Sequence, residues 1–244
     1  MTTPSAPTLA GQTVVAIGGS AGIGLETARL ARAQGAEVIL TGRNHERLER
    51  AAAELGAKSI VAFDATDWAA LDRFFRDLPG QIDHVMVTGP GPYYAPLAEL
   101  DRERAHRAYD DHQWLAVAVA RHAVGRVRPG GTLIFMGGTG GRRRGPGLSL
   151  IAAATAAMPA LVANLAVEVA PIRVNLIAAG FVDTPLSATL LGDDLDARRA
   201  QLRATLPIGR VVGPQDVAAL AVHLMTNPAL TGATYDIDGG EQLV

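Results

Sequence analysis

Short apolar runs alternate with longer helical segments along most of the 244-residue chain. The apolar runs predict buried strands, and the segments between them predict helices. The strands are predicted at residues 14–17, 37–41, 59–63, 84–87, 132–136, 173–177 and 233–237. The helices are predicted at residues 23–34, 44–55, 67–77, 101–124, 149–169, 184–205 (with breaks) and 214–225. This alternation is typical of βαβ units, so we predict a doubly wound α/β fold with helices on both faces of a parallel sheet.

A single domain is predicted over residues 9–244, because no internal repeat or linker-like run interrupts the alternation. Residues 1–8 are rich in Thr, Pro, Ser and Ala, so we expect this segment to be flexible. Two helix boundaries carry local signals. Gly35 follows the first helix as a C-terminal cap would, and Asn44 has the side chain of an N-cap for the second.

The composition excludes several classes of protein. Hydrophobic residues make up 48% of the chain and charged residues 19%, so the chain is too apolar to be intrinsically disordered. A formal net charge of -2 provides no general basic surface for nucleic acid or an anionic membrane. The lack of cysteine excludes disulfides, thiolate metal sites and cysteine nucleophiles. Because we find no signal-peptide pattern and no uninterrupted apolar run of about 18 residues, we expect a cytoplasmic protein without a membrane span.

Residues 18–24 form a glycine-rich turn between the first predicted strand and the first predicted helix. Gly18, Gly22 and Gly24 let the backbone approach a pyrophosphate closely, and the helix N-terminus would hold its negative charge. Ser20 and Ile23 complete the same turn. Such a turn also occurs as simple loop geometry, but the strand before it and the helix after it favour a dinucleotide site.

The end of the second strand indicates which dinucleotide would bind. A carboxylate there would bind the ribose hydroxyls of NAD, but the sequence is Thr41-Gly42-Arg43-Asn44, which contains no acid. Arg43 is placed to meet a 2′-phosphate, so we predict NADP(H); alternatively, Arg43 is a solvated charge. Asp64, after the third strand, either accepts a hydrogen bond from the adenine amino group or caps the next helix.

The chain resembles the short-chain dehydrogenase/reductase family over residues 9–243. Several motifs carry the resemblance, and they occur in the order in which the family has them. They are the glycine turn, Asp64, the fourth-strand end Val87-Thr88-Gly89-Pro90-Gly91, Ile172-Arg173-Val174-Asn175, the segment 179–185 (Ala-Gly-Phe-Val-Asp-Thr-Pro), Leu230-Thr231-Gly232 and Asp238-Gly239-Gly240. The fourth-strand end departs from the family, which usually has Asn-Asn-Ala-Gly there. The joint pattern is far more specific than the glycines alone.

The resemblance implies where the nicotinamide would lie. In the family, the backbone of the segment corresponding to residues 180–184 and a Thr at the position of Thr184 bind the carboxamide. Gly180, Val182 and Gly89 are the other cofactor positions carried over. Thr184 followed by Pro185 also predicts a helix N-cap with proline at the first helical position. The resemblance further implies a homo-oligomer, a dimer or tetramer, with interfaces on the helices at 101–124 and 149–169.

The catalytic residues of the family are missing at the aligned positions. Carbonyl reduction in the family relies on a Ser, a Tyr and a Lys, helped by an Asn. Here these positions align with Gly138, Ile151, Thr155 and, near the Asn position, His112. Reducing a carbonyl creates an alkoxide that needs a proton or a hydrogen-bond donor, and Ile provides neither. We therefore expect a non-standard active site.

Other side chains in the region are candidate substitutes. Thr139 adjoins the Ser position, Tyr93 and Tyr94 follow the fourth strand, and His112 could act as an acid near neutral pH. Each has a simpler interpretation: Thr139 as a loop residue, the tyrosines as packing or pocket lining, and His112 as a surface or interface residue. No metal site is predicted, since His106 and Asp110 lie one helical turn apart without a third ligand.

A run of three arginines, Arg142-Arg143-Arg144, follows the fifth strand. It could bind a carboxylate or phosphate of a substrate, or it could be a solvated loop or an oligomer contact. The region 187–203 resembles the family's substrate lid, and its charged residues are expected to face solvent. They are Asp193, Asp194, Arg198 and Arg199.

Two functions remain open on this reading. The first is an NADP(H)-dependent oxidoreductase that transfers hydride to or from a small apolar substrate in a pocket lined by Tyr93, Tyr94, Gly138, Thr139, Ile151 and Phe181. An iminium or polarised alkene suits such a pocket better than a simple ketone, because it needs less proton help. The second is a protein that binds the cofactor without catalysis, as a sensor or oligomer partner.

Overall fold

The computed structural model describes residues 8–244, and within them seven strands form one parallel sheet in the order β3-β2-β1-β4-β5-β6-β7. The strands are β1 Thr13–Ile17, β2 Glu37–Gly42, β3 Ser59–Ala62, β4 Ile82–Val87, β5 Val127–Gly138, β6 Arg173–Ala179 and β7 Thr234–Ile237. The predicted α/β class and doubly wound sheet are confirmed. Of the segment predicted to be flexible, only Thr8 lies within the described residues.

Helices cover both faces of this sheet. They are α1 Gly22–Ala33, α2 His45–Leu55, α3 Trp68–Asp77, α4 Arg102–Ala123, α5 Ser149–Glu168, α6 Pro185–Leu191, α7 Leu195–Thr205 and α8 Pro214–Thr226. Side chains alternate between the faces along each strand. In β1, Val15 and Ile17 pack into the core beneath α3, α4 and α5, whereas Val14 and Ala16 pack beneath α1, α2 and α8. The two buried clusters explain why the strands are apolar along their whole length.

The predicted start of the fifth strand was wrong. Strand β5 begins at Val127, five residues earlier than predicted, because the chain pairs with Ile82 before a register shift in β4. Gly130 and Gly131 lie inside this strand, where a Cβ on Gly131 would come within 2.3 Å of the Asp83 carbonyl oxygen. The prediction of a helix with breaks over residues 184–205 is confirmed, since this region forms α6, a 3₁₀ turn and α7.

The predicted caps are present. The side chain of Asn44 accepts a hydrogen bond from the main-chain N–H of Arg47 over 2.8 Å, as an N-cap does. Gly35, which follows α1, has φ of +94°, a conformation that favours glycine. The α3 cap is Asp67, whose carboxylate accepts from the N–H groups of Ala69 and Ala70.

Arg173, in the Ile172–Asn175 motif, closes the end of α8 from inside the protein. Its buried guanidinium donates to the carbonyl oxygens of Leu224, Met225, Asn227 and Leu230 over 2.7–3.1 Å. These include carbonyls of the last helical turn, which have no partner within the helix. The motif therefore has a structural role: it joins the start of β6 to the end of α8.

Helix α5 is the one described helix that is long and apolar enough to cross a membrane by length and composition. It packs against α4 and β6, and Met158, Val162 and Leu165 belong to the core beneath the sheet. Helices that form one layer of a soluble core have this composition. However, only 28% of its most apolar stretch is buried within the chain, so one side of the helix is left uncovered.

Candidate active site

A pocket of about 490 Å³ opens beyond the carboxyl ends of the central strands. In a doubly wound sheet, ligands bind at this edge, near the point where the strand order reverses. Here the reversal lies between β1 and β4. The walls of the pocket come from the ends of β4, β5 and β6, from α4 and α5, and from the lid helices α6 and α7.

The glycine turn lies between β1 and α1, and two of its glycines occupy places too tight for any other residue. A Cβ on Gly18, which has φ of +85°, would lie 2.1 Å from Oγ1 of Thr88. A Cβ on Gly24 would lie 2.4 Å from the Gly18 carbonyl oxygen. The turn is fastened to β2 because the N–H groups of Gly18 and Gly19 both donate to the Thr41 carbonyl.

The N-terminus of α1 is open toward this turn. Its N-cap residue, Ala21, provides no side-chain hydrogen bond, and the first turn contains no acidic residue. The N–H groups and the positive end of the helix dipole are therefore available to an anion. Gly22 has φ of +56° and lies against Thr184, with its built Cβ 3.5 Å from the threonine Cβ. The turn thus meets the segment predicted to hold the nicotinamide.

Arg43, the residue predicted to favour NADP(H) over NAD(H), lies at the end of β2. Arg43 is exposed directly after Gly42, and Gly42 lies beside Ser20, whose Oγ is 3.2 Å from a Cβ built on it. No described residue forms an ion pair with Arg43. A cation at this place, next to a hydroxyl of the glycine turn, fits the 2′-phosphate of NADP(H).

Asp64 does not cap α3, so that alternative was wrong. Asp67 is the cap, and Asp64 instead accepts hydrogen bonds from the N–H and hydroxyl of Thr66 over 3.0 and 2.8 Å. Asp64 is exposed directly after β3. Its role toward adenine stays a prediction.

The segment after β6 is held rigidly beside the pocket. Thr184 caps α6: its hydroxyl accepts from the Ser187 N–H, and the Ser187 hydroxyl accepts from the Thr184 N–H. Val182 forms a parallel bridge with Val212. Gly180, Val182 and Thr184 all line the pocket, as do Ile23 and Gly89. The glycine cradle, the open helix end and this segment together fit a nicotinamide dinucleotide.

The positions aligned with the family's Ser, Tyr and Lys come together at the pocket. Gly138, Ile151 and Thr155 all line it. A Cβ on Gly138 would lie 3.4 Å from Cγ2 of Thr155. Ile151 is 8% exposed and Thr155 is 7% exposed, so both face the interior. The alignment therefore places these residues in one site, whose wall here is mostly apolar.

Two of the proposed substitutes lie in the same pocket. Thr139 is buried, lines the pocket, and its hydroxyl forms no hydrogen bond with the described residues. His112 also lines the pocket, and its Nδ1 lies 2.8 Å from the Ala108 carbonyl oxygen one turn earlier in α4. An Nδ1–H donor leaves Nε2 to accept or donate a proton. His112 is half-buried at the pocket, and its interpretation as an interface residue stays a prediction.

The two tyrosines have different surroundings. Tyr94 lines the pocket, and burial raises the pKa of its phenol, so the hydroxyl keeps its proton at neutral pH. Tyr93 does not line the pocket, which corrects the prediction. Its hydroxyl accepts from the Asp101 N–H over 3.1 Å, and the Arg104 guanidinium lies 5.0 Å from its ring centre. Tyr93 therefore packs the loop onto the start of α4.

The three consecutive arginines have three different environments. Arg142 forms a two-pronged ion pair with Asp236 of β7, and Arg144 donates to the Gly141 and Arg143 carbonyls of its own loop. Only Arg143 lines the pocket. Neither Arg142 nor Arg144 is placed to bind a ligand there.

The lid region contains a residue pair that the sequence analysis assigned to solvent. Asp193 and Asp194 are exposed as expected, but Arg198 and Arg199 are not solvated charges. Arg199 binds the Asp183 carboxylate through two hydrogen bonds of 2.8 and 2.9 Å, and Arg198 lines the pocket.

Glu241, which the sequence analysis missed, is the partner of Arg198. Its side chain is 8% exposed, and its Oε2 accepts from the Phe181 N–H over 3.2 Å. Oε1 accepts from both Arg198 and Arg143. A Cβ on Gly180 would lie 2.7 Å from this carboxylate, so only glycine leaves it room. A lone glutamate near the end of a chain carries no sequence signal for such a role.

Comparison with known proteins identifies the family. A family model described as enoyl-(acyl carrier protein) reductase matches residues 18–242. The chain belongs to the short-chain dehydrogenase/reductase family. The short-chain dehydrogenase/reductase ATR9 of Stachybotrys chlorohalonatus is 29% identical to it over 96% of this chain and 98% of its own length. The resemblance drawn from the motifs is thereby confirmed, and with it the assignment to the oxidoreductases.

Solved structures of the family superimpose over nearly the whole chain. The MalC reductase/Diels-Alderase from Malbranchea aurantiaca has a TM-score of 0.89 at 26% identity, covering 97% of this chain and 98% of its own. BdcA in complex with NADPH has a TM-score of 0.83 at 28% identity, covering 95% of this chain and 94% of its own. The BdcA complex supports a nicotinamide cofactor for this member of the family.

Proposed function

We propose that the protein is an NADP(H)-dependent oxidoreductase with a non-standard active site, which transfers hydride to or from a small, largely apolar substrate. One observation carries the proposal: the glycine turn with its open helix end meets the Gly180–Thr184 segment at the mouth of an apolar pocket. A dinucleotide on the turn would place its reactive ring at that pocket. When bound, the nicotinamide would supply or accept the hydride.

The preference for NADP(H) rests on the charge at the end of β2. Arg43 is exposed, has no carboxylate partner among the described residues, and lies beside Gly42 and Ser20. Arginine binds phosphate through two parallel hydrogen bonds, which favours a 2′-phosphate over a 2′-hydroxyl. The complex of BdcA with NADPH supports the same choice.

Three side chains are proposed to handle the substrate's oxygen or nitrogen and its proton. The free hydroxyl of Thr139 would hydrogen-bond the atom that gains charge, as the family's serine does. Tyr94 would donate a proton, since its hydroxyl remains protonated at neutral pH. His112 would hold or pass on a proton at Nε2. An iminium or a polarised alkene suits this set. Hydride addition turns an iminium into a neutral amine, which needs no proton, and turns a polarised alkene into an enolate, a weaker base than an alkoxide, which Tyr94 would protonate.

The test is NADPH oxidation followed at neutral pH against matched ketones, imines and enones. We expect turnover with imines or enones to exceed that with ketones. Tyr94→Phe, Thr139→Val and His112→Gln then identify the donor: losing a positioned acid should lower kcat by about 10²–10⁴-fold. No turnover with any class would contradict the proposal, and unchanged kcat in all three variants would contradict the residue assignment.

A second candidate function is cofactor binding without a redox step, as a sensor or oligomer partner. It is favoured by the chemistry at the Tyr and Lys positions, where Ile151 has no polar atom and the Thr155 hydroxyl donates to a main-chain carbonyl. In that case NADPH would bind and raise thermal stability without being consumed. Native turnover with any substrate would contradict this alternative.

We also propose that the protein is a cytoplasmic homo-oligomer, a dimer or tetramer, whose partners are small molecules rather than nucleic acid or membrane. The uncovered side of α5 supports the proposal, because a second copy of the chain would cover it. On α4, Tyr109 is 40% exposed and Trp114 is 55% exposed, so the neighbouring helix also presents aromatic surface. Burial of such surfaces between copies is the usual way to remove them from water.

A further inference from the structure

The charged residues at the pocket are all basic. Among the described residues that line it, Arg143 and Arg198 carry permanent positive charge, and none is acidic. Most of the remaining wall is backbone or apolar side chain, including the aliphatic Leu115 and the aromatic Phe135. A pocket of this composition suits a ligand with an apolar body and one negative group.

Glu241 holds the two arginines together behind the pocket wall. Its Oε1 accepts from Arg143 Nη1 over 3.0 Å and from Arg198 Nη2 over 2.5 Å. Two guanidinium groups therefore share one carboxylate, so these three side chains together carry one net positive charge. Arg198 also lies 5.9 Å from the ring centre of Phe181, which lines the pocket.

Neither Asp236 nor Asp238 forms an ion pair with these two arginines. Asp236 is engaged by Arg142, which lies outside the pocket. Asp238 turns into the C-terminal segment, where its carboxylate accepts from the N–H groups of Gly240 and Gln242. Each guanidinium has five N–H donors, and the bonds to Glu241 use only part of them.

We propose that Arg143 and Arg198 bind the carboxylate of the substrate, so that the substrate is a small apolar acid whose reducible group lies deeper in the pocket. The inference rests on the proposed function, since it names the class of substrate for the same pocket. The single net positive charge of Arg143, Arg198 and Glu241 together matches a singly charged carboxylate better than a doubly charged phosphate. The planar carboxylate also fits the fork of a guanidinium.

The proposal is tested by binding, which does not require turnover. The full-length protein loaded with NADP⁺ is titrated by calorimetry with phenylacetate, 3-phenylpropanoate and 4-phenylbutanoate, and with the three matching neutral amides. We expect at least one acid to bind about tenfold or more tightly than its amide, with a preference that shrinks as salt is added. Equal affinities for every pair, or no binding by any of the acids, would overturn the proposal.

Substitutions separate a charge effect from a structural one. Arg143→Gln and Arg198→Gln should each weaken acid binding about tenfold while leaving amide binding unchanged. Glu241→Gln should tighten acid binding, because it removes the internal negative charge but keeps an acceptor for the Phe181 N–H. A merely structural role would weaken binding in all three. Arg144→Gln is the matched control, since Arg144 donates only to loop carbonyls and does not line the pocket.

Two further measurements test whether the arginines bind a phosphate or the cofactor instead. Phenyl phosphate is titrated alongside the acids, and tighter binding of the phosphate would overturn the assignment to a carboxylate. NADPH affinity is measured for each variant by the fluorescence of the bound cofactor. If the arginine substitutions weaken the binding of NADPH rather than the binding of the acids, the two arginines bind the cofactor and the proposal is wrong. NADPH binding with turnover of neutral substrates but no acid preference would leave the proposed function intact while overturning this inference.

Discussion

Thr155 donates its hydroxyl hydrogen to the main-chain carbonyl of Ile151, one turn earlier in α5, over 2.8 Å. This bond keeps the Thr155 side chain along its own helix, as threonine hydroxyls in helices often do. Ile151 contributes only carbon atoms to the pocket, and Gly138 contributes no side chain. The three positions that align with the family's Ser, Tyr and Lys therefore shape the pocket without supplying a proton donor.

Restoring the family's residues should restore its usual reaction. We expect Gly138→Ser, Ile151→Tyr and Thr155→Lys together to raise NADPH-dependent reduction of simple ketones by at least about 100-fold, because positioned acid–base catalysis contributes 10²–10⁴-fold. The measurement is NADPH consumption at neutral pH. A control with similar bulk but no donor, Gly138→Ala with Ile151→Phe and Thr155→Met, should stay at the native rate. Equal rates for the two variants would contradict the alignment.

Cofactor choice should depend on one side chain. Replacing Arg43 by Gln removes the charge offered to a 2′-phosphate, so NADPH affinity should fall about tenfold or more while NADH affinity stays the same. Titration of the fluorescence of each reduced cofactor measures both. Arg50→Gln, an exposed change further along α2, serves as the control and should alter neither. Equal losses for both cofactors would mean that Arg43 supports the loop rather than the phosphate.

The sequence predicted the parts of the site that depend on the backbone. Gly18 and Gly24 could be recognised because the close approach of neighbouring main chain admits no Cβ, and such places repeat whenever the strand–turn–helix unit forms. Thr184 could be recognised for a similar reason, since a capping threonine followed by proline is a local pattern. These features depend on residues close together in the chain.

The parts that failed depend on residues far apart in the chain. Arg198 and Glu241 are 43 positions apart, and no residue beside either of them in the sequence indicates that their side chains form an ion pair. Tyr93 and Tyr94 are adjacent, yet only Tyr94 lines the pocket, because the Tyr93 hydroxyl is taken by the start of α4. A loop conformation decided that difference. The sequence did not specify it through any local pattern.

His84 should make stability depend on pH. Burial lowers the pKa of this histidine from 6.5 to about 4, with Arg173 lowering it further and Asp83 opposing. The unfolded chain therefore binds more protons than the folded chain between these values, so stability falls as the pH drops below about 6.5. From pH 7 to pH 5 we expect a loss of about 2 kcal/mol from this group.

Urea unfolding at the two pH values measures that loss, and His84→Gln should remove it. The exposed His45 has no such burial, so His45→Gln should keep the native pH dependence. If His84→Gln and the native protein lose the same stability on acidification, another group is responsible.

Among the buried charged residues, Arg173 should be the one whose substitution destabilises the protein most. Its guanidinium donates to four carbonyls around the end of α8 and, through Nε, to the Gly130 carbonyl over 3.2 Å. Lysine cannot reproduce this planar set of donors, so Arg173→Lys should leave buried carbonyls unpaired and cost about 2–4 kcal/mol. Thermal unfolding would show this as a drop in Tm of several degrees. The exposed Arg203→Lys should leave Tm unchanged.

The uncovered side of α5 predicts self-association. Val167 lies on this side and is 77% exposed in the single chain. If a second copy covers it, Val167→Glu places a charge in an apolar interface, where it has no partner, and the oligomer should dissociate toward monomer. Light scattering after size-exclusion chromatography measures the mass of each species. Leu97→Glu is the control, since Leu97 is 82% exposed in a 3₁₀ turn outside α5, and it should leave the oligomer intact. A native protein that is monomeric at micromolar concentration would contradict the prediction directly, whereas an oligomer that survives Val167→Glu would place the interface on another surface.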